Sequence, residues 1–184
     1  MTNQDLWTER VAAWLKRIGC TVDDLECGAH APSYAPAAEA LVRAGETPTA
    51  LHNNCSGKHA GFLATARHLG EPTRDYRLYT HPVQQRILGI LEQMTGQDLG
   101  DAPWGIDGCS IPTIAVPIGA LAMAMARLAD PKDLPERRID AAFRIRKAWG
   151  GQPFFVAGTG RFDTVVMEAT GGKVLIKTGA EGVY

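Results

Sequence analysis

Glycine and proline cut this chain into short helical lengths, and that punctuation limits its possible folds more than any other feature. It carries 20 Gly and 11 Pro in 184 residues, and many of them stand where apolar periodic stretches begin or end. Trp7, Val11, Trp14, Leu15 and Ile18 follow helical spacing and Gly19 stops the run, so residues 5–18 are predicted to form an amphipathic helix. A proline-bearing loop, Gly28 to Pro36, leads into a short alanine-rich helix ending at Gly45. A third helix follows the polar stretch HNNCSGKH and closes at Gly70 and Pro72. Pro82, Pro117 and Pro135 each open a further helix at its first turn. The first of these carries Val83, Ile87, Ile90, Leu91 and Met94; the second carries Ile118, Leu121, Met125 and Leu128; the third carries Ile139, Phe143 and Trp149. The segment APWGIDGCSIPT reads as a Gly- and Pro-rich loop.

The last quarter changes character. Residues 162–168 and 173–178 are rich in β-formers, and the Gly171-Gly172 pair between them predicts a hairpin. The expected class is therefore α+β, a helical region followed by C-terminal antiparallel strands. A chain of this length is expected to form one domain across residues 1–184 with a real buried core.

Bulk properties exclude several classes of function. The formal net charge is -1 and the Lys and Arg residues are scattered, which argues against nucleic acid or an anionic membrane as the main partner. No apolar run approaches the roughly 20 residues needed to span a bilayer. The N-terminal stretch MTNQDLWTER is polar and carries no signal-peptide core, so a cytoplasmic location is expected. In that reducing compartment the four cysteines, at 20, 27, 55 and 109, are expected as thiols. Cys20 and Cys27 have no ligand-type neighbours in sequence and read as buried structural residues.

The strongest local signal is HNNCSGKH, residues 52–59. Asn53, Asn54 and Ser56 are all capable N-caps. A helix beginning near Ser56 would gather Cys55, Lys58 and His59 at its first turn, because residues three and four apart share a face. A thiol there would be acidified by the helix N-terminus and by neighbouring cations. Gly57 and Gly61 would let another backbone or a ligand come close. The same residues also fit a well-capped helix with a buried cysteine and an exposed lysine.

GIDGCS, residues 105–110, sets Asp107 and Cys109 two apart in a glycine-punctuated loop that can aim both side chains at one point; alone it also fits a turn in which Asp107 bonds the backbone. Taken together, the two segments make a zinc site conceivable, with two thiolates and a third protein donor. His59 is the usual type of third ligand, and Lys58 would serve only if deprotonated. Spacing leaves that choice open. At the other end of the chain, Lys177-Thr178-Gly179 closes the predicted strand VLIKT, where a lysine, a hydroxyl and a glycine could hold a substrate carboxylate. VAGTGRF, with Gly158 and Gly160, lacks the lysine and helix of a phosphate loop and reads as a turn.

HNNCSGKHAG, PWGIDGCSIPT, VAGTGRFDT and KTGAEGVY, in this order and at these separations, resemble the L-asparaginase II family of rhizobial type, from about Val11 to Tyr184. The resemblance implies a fold similar to serine β-lactamases and penicillin-binding proteins, a homodimer, and hydrolysis of L-asparagine to L-aspartate and ammonia at a Zn2+-containing site. It implies that Cys55, Lys58 and Cys109 ligate zinc, favouring Lys58 over His59. It places His59 and Asp107 beside the metal or the substrate, with Lys177, Thr178 and Gly179 also in contact with substrate. Lys177, His59 and Asp107 are then the catalytic candidates.

The resemblance also implies a nucleophilic serine in a Ser-x-x-Lys pair, where hydroxyl and base lie one helical turn apart. The serines here are Ser33, Ser56 and Ser110, and none has lysine three residues on. By this reading the chain is an internal piece of the full enzyme, truncated at both ends, with its activity in question and an apolar face exposed by the missing helix. Two alternatives accompany it. One is a non-catalytic zinc-binding pseudoenzyme or amino-acid-binding module. The other is a thiol amidohydrolase with Cys55 as nucleophile and His59 as base.

Overall fold

The computed structural model describes residues 3–183, with side chains from residue 6; the last residue of the quoted motif, Tyr184, lies outside them. Two compact units divide the chain between Pro117 and Ile118. Among the described residues the fold is mostly helical with one two-stranded antiparallel sheet, an α+β composition. No helix among them is long and apolar enough to cross a membrane.

The first unit contains α1 (Asn3–Arg17), α2 (Ala35–Ala44), α3 (Ser56–Leu69), α4 (Pro82–Thr95) and the strands β1 (Trp104–Ile106) and β2 (Pro112–Ile114). The four helices follow the punctuation. Gly45, Gly70 and Gly96 close α2, α3 and α4 in the left-handed conformation, with φ of 68°, 68° and 71°. A glycine is suited to that conformation because it has no Cβ to clash with the preceding carbonyl. Val11 and Leu15 of α1 pack with Ala60, Leu63 and Ala66 of α3, together with Tyr76, Val83, Cys109 and Ile111, in one buried cluster. Each fully buried leucine in it contributes about 2 kcal/mol by burial of apolar surface. Cys20 and Cys27 are buried free thiols in the same cluster, as expected.

The segment read as a loop around residue 107 is instead a hairpin. Trp104 pairs with Ile114, Gly105 with Thr113 and Ile106 with Pro112. Its turn is closed by Asp107 N–H to Ile111 O and Ser110 N–H to Asp107 O, both 2.8 Å, with Ser110 at φ 74°. Gly and Pro concealed the strands, because Pro112 needs no ladder donor at its position on this edge. Trp104 also stacks on Tyr79, with ring centroids 4.6 Å apart and planes 10° from parallel, a contact no local pattern announces.

The second unit contains α5 (Ile118–Ala129), α6 (Glu136–Gly151), α7 (Pro153–Ala157) and α8 (Phe162–Ala169). The predicted C-terminal strands do not form. Residues 162–168 lie in α8, and residues 173–178 run without regular structure into a 3-10 turn, Ala180–Gly182. Within α8 the buried residues are Asp163, Thr164 and Met167, a helical spacing that outweighs the β-propensity of Val165 and Val166. The glycine pair is real punctuation of another kind. Gly171 N–H bonds Glu168 O at 3.0 Å and Gly172 N–H bonds Met167 O at 2.7 Å, both glycines at positive φ, so together they cap the helix. A Cβ added at Gly150 would lie 2.6 Å from Gly172 O, so the end of α6 and this cap touch through bare backbone. Trp149 Nε1 donates to Ile176 O at 3.3 Å and tethers the following segment to α6.

Candidate active site

The site residues of the first unit sit where α3 begins. Cys55 is the N-cap and Ser56 the first helical residue, with no side chain capping the helix. Asn53 and Asn54, expected as caps, are not used that way. Asn53 is 4% exposed; it donates to Cys27 O at 2.8 Å and Gly28 O at 3.1 Å and accepts from Cys55 N–H at 2.8 Å. It thereby ties the segment at Cys27 to the turn that carries Cys55. Ser56 is fully buried and its hydroxyl is spent, receiving Trp7 Nε1–H at 2.9 Å and donating to Leu51 O at 3.1 Å. Gly57 and Gly61 do admit close neighbours. Those neighbours are the rings of Trp7 and Trp14 from α1, 3.0 and 3.7 Å from where a Cβ would stand.

One helical turn on, Lys58 reaches the hairpin. Its Nζ lies 3.2 Å from Cys109 Sγ and 3.5 Å from Asp107 Oδ2, and the Cys109 thiol donates to Asp107 Oδ2 at 3.3 Å. Gly108 N–H completes the carboxylate's shell at 2.7 Å. Cys109 is 4% exposed, Cys55 is half-buried, and the Lys58 and Asp107 side chains remain 38% and 39% exposed. The cluster is thus open to solvent on its charged side and closed behind its sulfur.

Charge states follow from that asymmetry. Burial pushes the Cys109 thiol up to about 11, and hydrogen bonding and attraction from Lys58 only partly oppose it. Burial would lower Lys58, yet the hydrogen bond to Cys109 and the nearby Cys55, Cys109 and Asp107 hold its ammonium above the ordinary lysine range. Burial would raise Asp107, but the Cys109 thiol, the Gly108 amide and Lys58 keep it below the usual carboxylate range. Cys27, also lifted to about 11 by burial, feels Cys109, Cys55 and Lys58 electrostatically. A third thiol therefore lies near the cluster, which its sequence neighbours did not suggest.

His59 turns away from this open face. It is fully buried, with Nδ1 2.7 Å from Tyr76 Oη and its ring edge-on to Phe62 and Tyr76. Burial, then the Lys58 charge, lower its pKa to about 4, so it is neutral at pH 7. Tyr76 gave no signal in the sequence: it lies in no motif, and its partners Glu26 and His59 are remote along the chain.

The donor set suits zinc chemically: two thiols and an amine, from the first turn of α3 and from the β1–β2 turn. Among the described residues, no group of three or more His, Cys, Asp or Glu side chains is placed to hold a metal ion. The residues that would hold an ion here are Cys55, Lys58 and Cys109, each losing a proton to do so.

The second candidate set belongs to the other unit. Thr178 donates its N–H to Asp163 Oδ1 and its hydroxyl to Oδ2, the latter at 2.6 Å. Asp163 is 1% exposed. Burial would raise it, but the two bonds from Thr178 and the charge of Lys177 hold it below the usual carboxylate range. Lys177 Nζ folds back onto Thr178 O at 2.5 Å, and Gly179 N–H bonds Val183 O at 2.7 Å. The Lys-Thr-Gly segment is thus held by a buried carboxylate and a local turn, without the strand predicted for it. Asp163 was legible only as one letter of the motif VAGTGRFDT.

The family model for L-asparaginase II matches residues 2–184. No curated protein matches the sequence.

Proposed function

The chain belongs to the L-asparaginase II family, and from that premise we propose that it serves the hydrolysis of L-asparagine to L-aspartate and ammonia at a zinc site held by Cys55, Lys58 and Cys109. One observation carries the reading. Lys58 Nζ stands 3.2 Å from Cys109 Sγ, so the fold joins in one polar cluster two cysteine motifs that are distant in sequence. A bound zinc supplies positive charge that polarises an amide or carboxylate oxygen.

The chain's own groups then divide the work. Cys55 and Cys109 hold the ion as thiolates once their protons leave. Lys58 gives up its proton to become the third donor. In the metal-free chain Asp107 accepts the Cys109 S–H and pairs with Lys58; once the thiol proton has left, its carboxylate is free to face the substrate ammonium on the open side of the cluster. His59 supports the turn from behind. By the family resemblance Lys177, Thr178 and Gly179 are proposed as carboxylate-binding groups within the second unit, and Asp163 holds Thr178 in place. The fold is assigned to the serine β-lactamase and penicillin-binding-protein class, with a homodimer as the working assembly in the cytoplasm.

A second reading is a zinc-holding module that binds the amino acid without turning it over. The Ser56 hydroxyl, in the first turn of α3, is committed to Trp7 and Leu51, which favours it. Elemental analysis of the purified chain, with Cys55→Ser and Cys109→Ser alongside, tests the shared premise. About one zinc per chain, lost in both variants, supports it, and a metal-free chain that still folds overturns it. Ammonia release from L-asparagine then separates the readings: release supports the hydrolase, whereas L-aspartate binding without release supports the module.

A further inference from the structure

We propose that Tyr76 fixes His59 as the neutral tautomer with its hydrogen on Nε2, so that His59 acts beside the Cys55–Lys58–Cys109 turn as a donor to oxygen, neither a base for Cys55 nor a metal ligand. The inference rests on the proposed function only for the identity of the site. Its test reads the imidazole directly, so either can fail without the other.

The argument is one of counting hydrogens. Glu26 N–H lies 2.7 Å from Tyr76 Oη, and a backbone amide can only donate. Tyr76 Oη is therefore an acceptor on that side and must dispose of its own hydrogen elsewhere. Its other partner is His59 Nδ1, at 2.7 Å. If Nδ1 carried a hydrogen, in the other neutral tautomer or in the imidazolium, two donors would face one phenol oxygen. The phenol hydrogen would then have no acceptor at a residue with no exposed surface. A buried unmade bond is costly, and the alternative satisfies the phenol on both sides: Glu26 N–H donates to the phenol and the phenol donates to Nδ1, which leaves one open group, at Nε2, in place of two. The imidazole hydrogen then sits on Nε2. Phe62 and Tyr76 meet the ring at 65° and 70° with centroids 5.5 and 5.4 Å away, which holds it in this orientation.

Two consequences follow. The basic lone pair of His59 is occupied by a phenol in the core, so none is left to take the Cys55 proton or to bind zinc. This removes the base from the thiol amidohydrolase alternative and is in keeping with Lys58, though a rarer type of ligand, being the donor that reaches the Cys109 thiol. The second consequence concerns Nε2, which is buried and without a partner. As an N–H it calls for one oxygen acceptor, the kind of position that an ordered internal water fills.

Long-range 1H–15N correlation spectra of the uniformly labelled chain decide the matter, with His59 assigned by its loss in His59→Gln. At pH 7 the wild type should show one unprotonated nitrogen, Nδ1, and one protonated nitrogen, Nε2, unchanged by one equivalent of zinc. A protonated Nδ1, averaged nitrogens, or a zinc-induced loss of the Nε2 hydrogen would each overturn the proposal. Tyr76→Phe should abolish the single-tautomer pattern while the backbone amide spectrum stays dispersed, and a retained pattern overturns the role of Tyr76. Should that variant unfold, 3-fluorotyrosine at 76 gives the same information. Its more acidic phenol must shift the Nδ1 resonance if it donates there, and no shift refutes the assignment.

Discussion

Acidification should unfold the first unit through one residue, His59. In the folded protein burial and the Lys58 charge hold its pKa at about 4, against 6.5 for an exposed imidazole. The sign follows from which state binds the proton. Between these two values the unfolded chain takes up a proton that the folded chain refuses, so the stability His59 contributes is complete above pH 6.5 and falls as pH drops. The loss levels off below about pH 4, at roughly 3 kcal/mol for a displacement of this size. At pH 5 the unfolded imidazole is almost fully protonated and the folded one about a tenth so, and the difference is about 2 kcal/mol. Such a loss is a large part of the 5–15 kcal/mol of a typical domain.

The assay is urea denaturation of the metal-free, reduced chain at pH 7.5 and pH 5, followed by tryptophan fluorescence in a Trp149→Phe background. Trp149 is the one tryptophan beyond Pro117, so its removal leaves Trp7, Trp14 and Trp104 to report on the first unit. The same pair of measurements on His59→Gln cancels the carboxylates and the other histidines. Wild type should lose about 2 kcal/mol more than His59→Gln between the two pH values. Equal losses would mean that the buried imidazole is not what acid attacks, and the reasoning from its burial would be wrong.

Zinc affinity should move with pH in the same direction but for a different reason. Binding must strip a proton from Cys55, from Cys109, lifted to about 11, and from Lys58, held above its ordinary range; competition with a fluorescent chelator at pH 6.5 and 7.5 should therefore show affinity rising about 1,000-fold per pH unit, tenfold for each of the three protons released. A slope of only about 100-fold, the two thiol protons alone, would remove Lys58 as a ligand. Gly57→Ala gains helix propensity but sets a Cβ 3.0 Å from the Trp7 ring, which its bond to Ser56 holds in place. A net loss of about 1 kcal/mol and a red-shifted Trp7 emission are expected, and an unchanged spectrum would show that the ring yields freely. Asp163→Ala removes both partners of Thr178, so the Thr178 amide should exchange with solvent roughly 30-fold faster or more, as expected for bonds to a charged group worth about 2–3 kcal/mol. Unchanged protection would assign the ordering of that segment to Gly179 and Val183 instead.

What the sequence disclosed and what it concealed divide along the range of the interactions involved. The start of α3 was legible because its signal is local to HNNCSGKH, but of the residues expected to gather there Lys58 reaches the hairpin while His59 turns into the core. The glycines of that turn were legible only in kind. They did foretell a close approach, but the visitors are Trp7 and Trp14, chosen by the way α1 packs. Gly171-Gly172 shows the limit most sharply, since paired positive-φ residues serve a hairpin turn and a helix cap alike. What decides between them is whether Asp163, Thr164 and Met167 are buried together on one face, which no window around the glycines contains. Tyr76 stands at the far end of this scale. Its hydrogen bonds span 50 residues to Glu26 and 17 to His59, and a tyrosine between two arginine-bearing stretches offers no hint of either. Yet it is this residue that determines what His59 can do. Candidate residues could thus be named from sequence but not what each can do, because that depends on which lone pair or hydrogen remains after the long-range partners are satisfied. His59 looked like a zinc ligand or a base by residue type, and the phenol behind it leaves it able only to donate.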